Sequence, residues 1–209
     1  MKHILKHVVI AAGLVVGTSL STTASAQNIV DEWANVKTPP APQLKPVTVD
    51  PKTTALLMLD FMNQTCTKRP RCLASLPAVK KFLAEARATG MMIVYTTGPG
   101  GKVADTMQDV APAGSEPVVT AGVDKFLNTD LDKILKDKGI QTVITIGTAA
   151  HGAVFYTASG AGFRGMKVIV PVDGMSSDPY TEQYTAWHLA NGLAFSRNVT
   201  LTKFDMVKF

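Results

Sequence analysis

The sequence predicts an α/β domain: a doubly wound, six-stranded, mostly parallel sheet with helices on both faces. Short, continuously apolar runs such as 54–60 (TALLMLD) and 142–147 (TVITIG) alternate with longer amphipathic stretches. Those runs carry apolar residues at consecutive rather than alternate positions, which is the signature of strands buried on both faces of a parallel sheet. Gly and Pro punctuate the boundaries between runs.

In order, Thr54 to Asp60 reads as a buried strand ending in a carboxylate. From Ser75 to Thr89, Leu76, Val79, Phe82, Leu83 and Ala86 recur at helical spacing, and Gly90 ends the run. Met91 to Thr96 is a second strand. Thr97 to Pro117 contains Gly98-Pro99-Gly100-Gly101 and Pro112-Ala113-Gly114, so it reads as loop. Val118 and Val119 form a short third strand. Thr129 caps a helix running to Lys138, with Leu131, Ile134 and Leu135 inward and Gly139 as its stop. Thr142 to Gly147 is the next strand, and the small-residue segment Ala150 to Phe163 a helix. Lys167 to Val172 is a strand, Pro179 to Asn191 a helix and Asn198 to Thr202 the last strand.

The N-terminal region stands apart. Lys2, His3, Lys6 and His7 precede an apolar run from Val8 to Leu20, followed by small residues ending Ala24-Ser25-Ala26. That layout predicts a signal peptide of residues 1–26, cleaved near Ala26, and a periplasmic or secreted protein. The apolar run is 13 residues long, shorter than the roughly 20 needed to span a bilayer, so no membrane association is expected after its removal. Residues 27–52 carry Pro39, Pro40, Pro42, Pro46 and Pro51 and read as an extended arm packed over the domain or a neighbouring subunit. Residues 53–209 form the predicted domain.

The formal charge is +5, of which Lys2 and Lys6 contribute two. The remaining basic residues are scattered apart from Lys68-Arg69-Pro70-Arg71, with no interleaved aromatics, which argues against nucleic-acid binding. Cys66 and Cys72 are the two cysteines, five residues apart around Pro70. In an oxidising compartment a disulfide is the favoured reading; free thiols, one of them a nucleophile, are the alternative. No cluster of ligands suggests a metal, and no cofactor is expected.

In a doubly wound sheet the ligand lies beyond the carboxyl ends of the strands. That rule selects Asp60, Thr96, Thr97, Val119, Thr120, the stretch Gly147 to Ala153, and Asp173. Asp60 suits a general acid or base; capping the following turn at Asn63 is its structural alternative. Between Gly147 and Ala153 small residues leave backbone N–H groups free to form an oxyanion cradle from Thr148, Ala149, Ala150, Gly152 and Ala153, although tight helix–strand packing asks for the same residues. His151 is either an orienting catalytic group or a structural histidine. Tyr184, Trp187 and His188 are read as core or subunit contact.

The segments TALLMLDFMN, FLNTDLDKILKDKGIQTVITIG and GTAAHGAVFYTASGAGFRGMKVIVPVDGMSS together resemble the isochorismatase-like (cysteine hydrolase) family over residues 53–205. The resemblance implies that family's fold, a small-molecule substrate and a homo-oligomer. It also implies a catalytic Asp, Lys and Cys and a non-proline cis bond before the oxyanion hole. Asp60 matches the aspartate. The lysine position, four residues before Asp124, falls on Thr120, and the nucleophile position on Ala153; the cis bond would join Thr148 and Ala149. Ala153 has no nucleophilic atom, so the family's thioester route is excluded at that position. The local Ala150-His151-Gly152-Ala153 is closer to the true isochorismatases, which hydrolyse a vinyl ether without a covalent intermediate. Met62 stands where those enzymes carry a Gln. Lys125 and Lys102 are the candidate substitutes for the missing lysine. The expected function is therefore non-covalent hydrolysis of a small molecule at Asp60, with a lapsed enzyme retained for binding or scaffolding as the alternative.

Overall fold

The computed structural model describes residues 28–209; the expected signal segment 1–26 lies outside them. Asn28 to Thr38 belong to one unit and Pro39 to Phe209 to a second, compact one. In the first, Asn28 caps a single helical turn, α1 (Ile29–Glu32), by accepting from the N–H groups of Val30 and Asp31.

In the second unit the chain runs through β1 (Val47–Thr48), β2 (Thr54–Leu59), α2 (Asn63–Cys66), α3 (Pro70–Ala88), β3 (Met92–Thr97) and β4 (Val118–Thr120). It continues with α4 (Leu131–Asp137), β5 (Thr142–Thr148), α5 (Phe155–Phe163), β6 (Lys167–Pro171), β7 (Met175–Ser176), α6 (Pro179–Asn191), β8 (Val199–Thr202) and β9 (Val207–Lys208). The main sheet has the order β4-β3-β2-β5-β6-β8, and every pairing in it is parallel. A mostly parallel sheet between helical layers agrees with the predicted fold class.

The alternation of a strand explains the two layers. On β2, Leu56 and Met58 join a core with Val79, Phe82 and Leu83 of α3, whereas Ala55, Leu57 and Leu59 join a core with residues of α4, α5 and α6. All six residues of β2 are buried. A run that must be apolar on both sides cannot alternate, which is why the sequence shows an unbroken TALLML.

Two expectations need correction and one gains detail. The sheet has seven strands, not six: the two-residue β7 pairs with β5 through Gly147 and Met175, Thr148 and Ser176. A pair of residues is too short to show any periodicity. The extended proline-rich arm adds a detail the sequence did not show: its β1 pairs in parallel with β9 in a separate two-stranded sheet. Here the partner strand, remote in sequence, supplies the order. Lastly, α3 begins at Pro70, five residues before the expected Ser75. Proline at the first helical position has the right φ and lacks an N–H that would have no helical acceptor anyway. The earlier start also carries Cys72 into the core.

β2 and β5 lie side by side while their crossover connections leave in opposite directions, so the sheet's switch point falls between Leu59 and Gly147. Gly147 has φ +148, and a Cβ there would stand 2.0 Å from the Leu59 carbonyl oxygen. Only glycine permits this approach, and it brings the end of β5 against the residue that follows β2.

Candidate functional site

That residue is Asp60. Its φ is +52, a left-handed conformation that costs a non-glycine residue on the order of 1 kcal/mol and that Asp tolerates better than most. Three contacts hold it. The Thr96 hydroxyl donates to Asp60 Oδ1 at 2.7 Å and accepts from the Asp60 N–H at 3.2 Å. The Asp60 carbonyl accepts from the Met62 N–H at 2.7 Å and from the Thr65 hydroxyl at 3.1 Å. The side chain is thus turned away from the Asn63 turn, and the capping alternative for Asp60 does not apply.

The second carboxylate oxygen meets Lys125. Lys125 Nζ donates to Asp60 Oδ2 at 2.7 Å; the lysine side chain is fully buried and the carboxylate 15% exposed. The expected lysine position, Thr120, does not meet Asp60; of the two candidate substitutes, Lys125 does. The reason is local chain geometry. Residues 121–130 form a run of turns rather than a strand or regular helix, so a count in sequence does not carry over into a position. The Lys125 N–H donates to the Thr157 hydroxyl at 3.3 Å, and the Lys125 carbonyl accepts from the Thr129 hydroxyl at 2.5 Å. Gly160 on α5 allows this segment to sit close, because a Cβ there would reach 3.0 Å from Asp124 Oδ1.

Thr120 remains at the same edge, with its hydroxyl 2.8 Å from that of Thr97. Lys102 is exposed on the 98–117 loop, its backbone N–H donating to Asp105. It is not drawn into the Asp60 cluster.

The turn after β5 carries the rest. The Thr148–Ala149 bond is cis, at the place the resemblance implies. Ala150 is buried, and so is Ala153, which is 3% exposed. The N–H groups of Gly152 and Val154 both donate to the Ala149 carbonyl, at 3.0 and 3.3 Å. The expected cradle is therefore narrower than the full stretch. The Gly152 N–H closes the turn itself and is not a donor for a ligand. His151 is exposed, and its Nδ1 lies 3.0 Å from the Ser177 hydroxyl. It has no hydrogen bond to Asp60 among the described residues.

Sequence reasoning placed Thr96 at this edge without giving it a role, and it missed Ser177 altogether. Nothing in GMSS distinguishes Ser177 until β7 docks beside β5. Asp173, also at the edge, turns out to be structural: it accepts from the Phe204 N–H, and burial pushes its carboxyl above the usual range.

Cys66 and Cys72 are joined in a disulfide, with Cα atoms 5.2 Å apart and both residues fully buried. This removes either sulfur as a nucleophile. No group of three or more His, Cys, Asp or Glu suited to a metal occurs among the described residues. No helix among them is long and apolar enough to cross a membrane.

Residues 54–202 match the isochorismatase domain. The chain is 27% identical over 144 residues to a secreted isochorismatase effector, Isc1, from Verticillium dahliae, covering 62% of this chain and 76% of that protein. Among solved structures it resembles a cysteine hydrolase from Pseudomonas syringae pv. phaseolicola (TM-score 0.67, 18% identity, 78% of this chain and 94% of that one). An N-carbamoylsarcosine amidase from Thermoplasma acidophilum is similar in fold as well (TM-score 0.63, 22% identity, 73% and 97%).

Proposed function

Because the chain belongs to the isochorismatase family, we propose that it hydrolyses a small molecule without a covalent intermediate, with Asp60 moving the proton. The observation that carries this reading is the Asp60–Lys125 pair, held at 2.7 Å at the sheet's switch point, in a chain whose nucleophile position holds Ala153, which cannot attack. In a thiol mechanism the attacking atom is sulfur at position 153. Here the nucleophile is water.

In this reading Asp60 accepts a proton from water as the water oxygen bonds to the electrophilic carbon. The same proton then passes to the leaving group as its bond to that carbon breaks, so one water is consumed and the carboxylate is restored. With a vinyl ether the order reverses: the protonated carboxyl delivers its proton to the alkene carbon. Water adds to the resulting oxocarbenium carbon and returns a proton to Asp60, and the hemiketal collapses to a carbonyl compound and an alcohol. Lys125 and the remaining N–H groups of the Ala150 to Ala153 turn balance the negative charge that develops on the substrate. Thr96 keeps Oδ1 oriented and leaves the carboxylate one defined direction of approach.

A second reading is a lapsed enzyme that binds its ligand at Asp60 without turning it over. It is favoured by the buried apolar Met62, 2% exposed, where true isochorismatases carry a Gln. Turnover of small amides, esters, vinyl ethers and lactones by the wild type and by Asp60→Asn separates the two. Hydrolysis abolished in Asp60→Asn is the expected result; hydrolysis that persists unchanged in that variant sinks the acid/base role. Ligand binding with no turnover in the wild type favours the lapsed reading.

Export completes the proposal. The apolar segment closing on Ala24-Ser25-Ala26 supports it, as does the likeness to a secreted effector. So does a homo-oligomer, for which the exposed Tyr156, Tyr184 and Trp187 offer apolar surface.

A further inference from the structure

Beyond Asp60, one polar chain runs from a surface helix to the cradle. Arg71, in the first turn of α3, donates its Nε to Glu182 Oε1 at 2.8 Å and its Nη2 to Glu182 Oε2. Glu182, in the first turn of α6 and only 14% exposed in its side chain, also accepts the Ser177 N–H on Oε1 at 2.8 Å. Ser177 is 8% exposed, and its hydroxyl meets His151 Nδ1 at 3.0 Å. A chain from α3 through the start of α6 to the segment after β7 thus ends on one imidazole nitrogen.

The direction of the last bond follows from the hydrogen inventory. The Ser177 hydroxyl has no other hydrogen-bond partner among the described residues. If it accepted from Nδ1–H, its own buried proton would be left without an acceptor, which costs more than an unmet lone pair. Donation to Nδ1 satisfies the proton and leaves the ring hydrogen on Nε2.

We propose that Ser177 fixes His151 as the Nε2–H tautomer, so that this exposed N–H donates to an acceptor oxygen of the substrate. Glu182 and Arg71 are then positioning residues that hold Ser177 in place. The inference rests on reading this sheet edge as a substrate site, and it adds a class: the substrate presents a carbonyl or similarly basic oxygen at the mouth of the cradle. His151 binds that oxygen and takes no proton from water.

Nuclear magnetic resonance of protein labelled with 15N-histidine tests this without requiring turnover, His151→Gln supplying the assignment. At a pH where the ring is neutral, the wild type should show the Nε2–H pattern, with the two ring-nitrogen shifts widely separated. In Ser177→Ala the shifts should converge as the tautomers mix, Ser177→Thr should restore the separation, and Glu182→Gln should move them partway. An Nδ1–H pattern in the wild type, or shifts unchanged in Ser177→Ala, overturns the tautomer assignment. Shifts unchanged in Glu182→Gln overturn the positioning role. Benzamide serves as a neutral carbonyl probe: a saturable shift of Nε2 in the wild type, lost in Ser177→Ala, is expected, and its absence overturns the ligand role. Failure of every hydrolysis assay with the tautomer pattern intact removes the hydrolytic reading and leaves this assignment standing.

Discussion

Lys125 reaches Asp60 across 65 positions of sequence, and the two partners differ in what surrounds them: the ammonium is wholly buried, whereas the carboxylate keeps some access to water. Removing one partner of a buried pair costs about 3–5 kcal/mol, because the other charge is left uncompensated. The asymmetry predicts that Asp60→Ala destabilises more than Lys125→Met. The first strands a buried ammonium, whereas the second leaves a carboxylate that still accepts from Thr96. Urea denaturation midpoints check this, and equal losses, or a larger one for Lys125→Met, contradict it.

Ala153→Cys would put a thiol at the position the family resemblance assigns to the nucleophile, in the turn between the cis bond and α5. The start of a helix favours the thiolate, whereas burial opposes it. With position 153 only 3% exposed, burial should prevail, and the engineered thiol should react with iodoacetamide more slowly than an ordinary surface cysteine. The native pair does not interfere, because Cys66 and Cys72 are bonded to each other. A rate equal to or above that of a surface cysteine would mean that the site opens to the reagent and activates the thiol.

Gly147→Ala should be among the most damaging single changes in the chain. The added methyl would meet the Leu59 carbonyl oxygen at 2.0 Å on a backbone with φ +148, so β5 must move away from β2. A loss above about 4 kcal/mol is expected, enough to leave little folded protein. Gly90→Ala is the control for its left-handed φ alone, since a Cβ there meets nothing within 4 Å. Comparable soluble yields from the two variants would show that the sheet accommodates the contact.

Removing the disulfide as Cys66→Ala with Cys72→Ala should cost about 2 kcal/mol. The two cysteines are six positions apart, and a bridge closing so short a loop restricts the unfolded chain only modestly. Thermal denaturation compares the double variant with the wild type. A loss much above this value would mean that the bridge also holds α2 against α3.

Burial pushes the Tyr95 phenol above its ordinary value, against the opposing pull of the Arg87 guanidinium. When an acid is weakened by folding, the unfolded chain gives up its proton first as pH rises. Stability therefore declines above the ordinary tyrosine value of 10.0. Tyr95→Phe loses hydrogen bonds to Arg87 and the Val110 carbonyl, so at neutral pH it should be about 1 kcal/mol less stable. Its stability should nonetheless fall less steeply between pH 9 and about 11. Parallel slopes in denaturant titrations across that range would count against Tyr95 as the source.

The sequence by itself determined the fold class, because burial on both faces of a parallel strand demands continuous apolar runs, and these are visible without a structure. It also singled out Asp60 as the residue ending the first of them. Spacing near proline, together with an expected oxidising compartment, pointed to the Cys66–Cys72 bridge. Ala153 was legible for the same reason: a methyl side chain is inert wherever it lies. What only the tertiary structure decided was which groups meet. Counting along an irregular turn placed the cation at Thr120, whereas the hydroxyls of Thr157 and Thr129 fix the turn so that Lys125 arrives at Asp60. Ser177 carries no local signal, and its role depends on a two-residue strand that exists only once β5 is beside it. Composition and periodicity report on the burial of each residue separately. A site depends on pairs of residues, and turns without a repeat bring those pairs together.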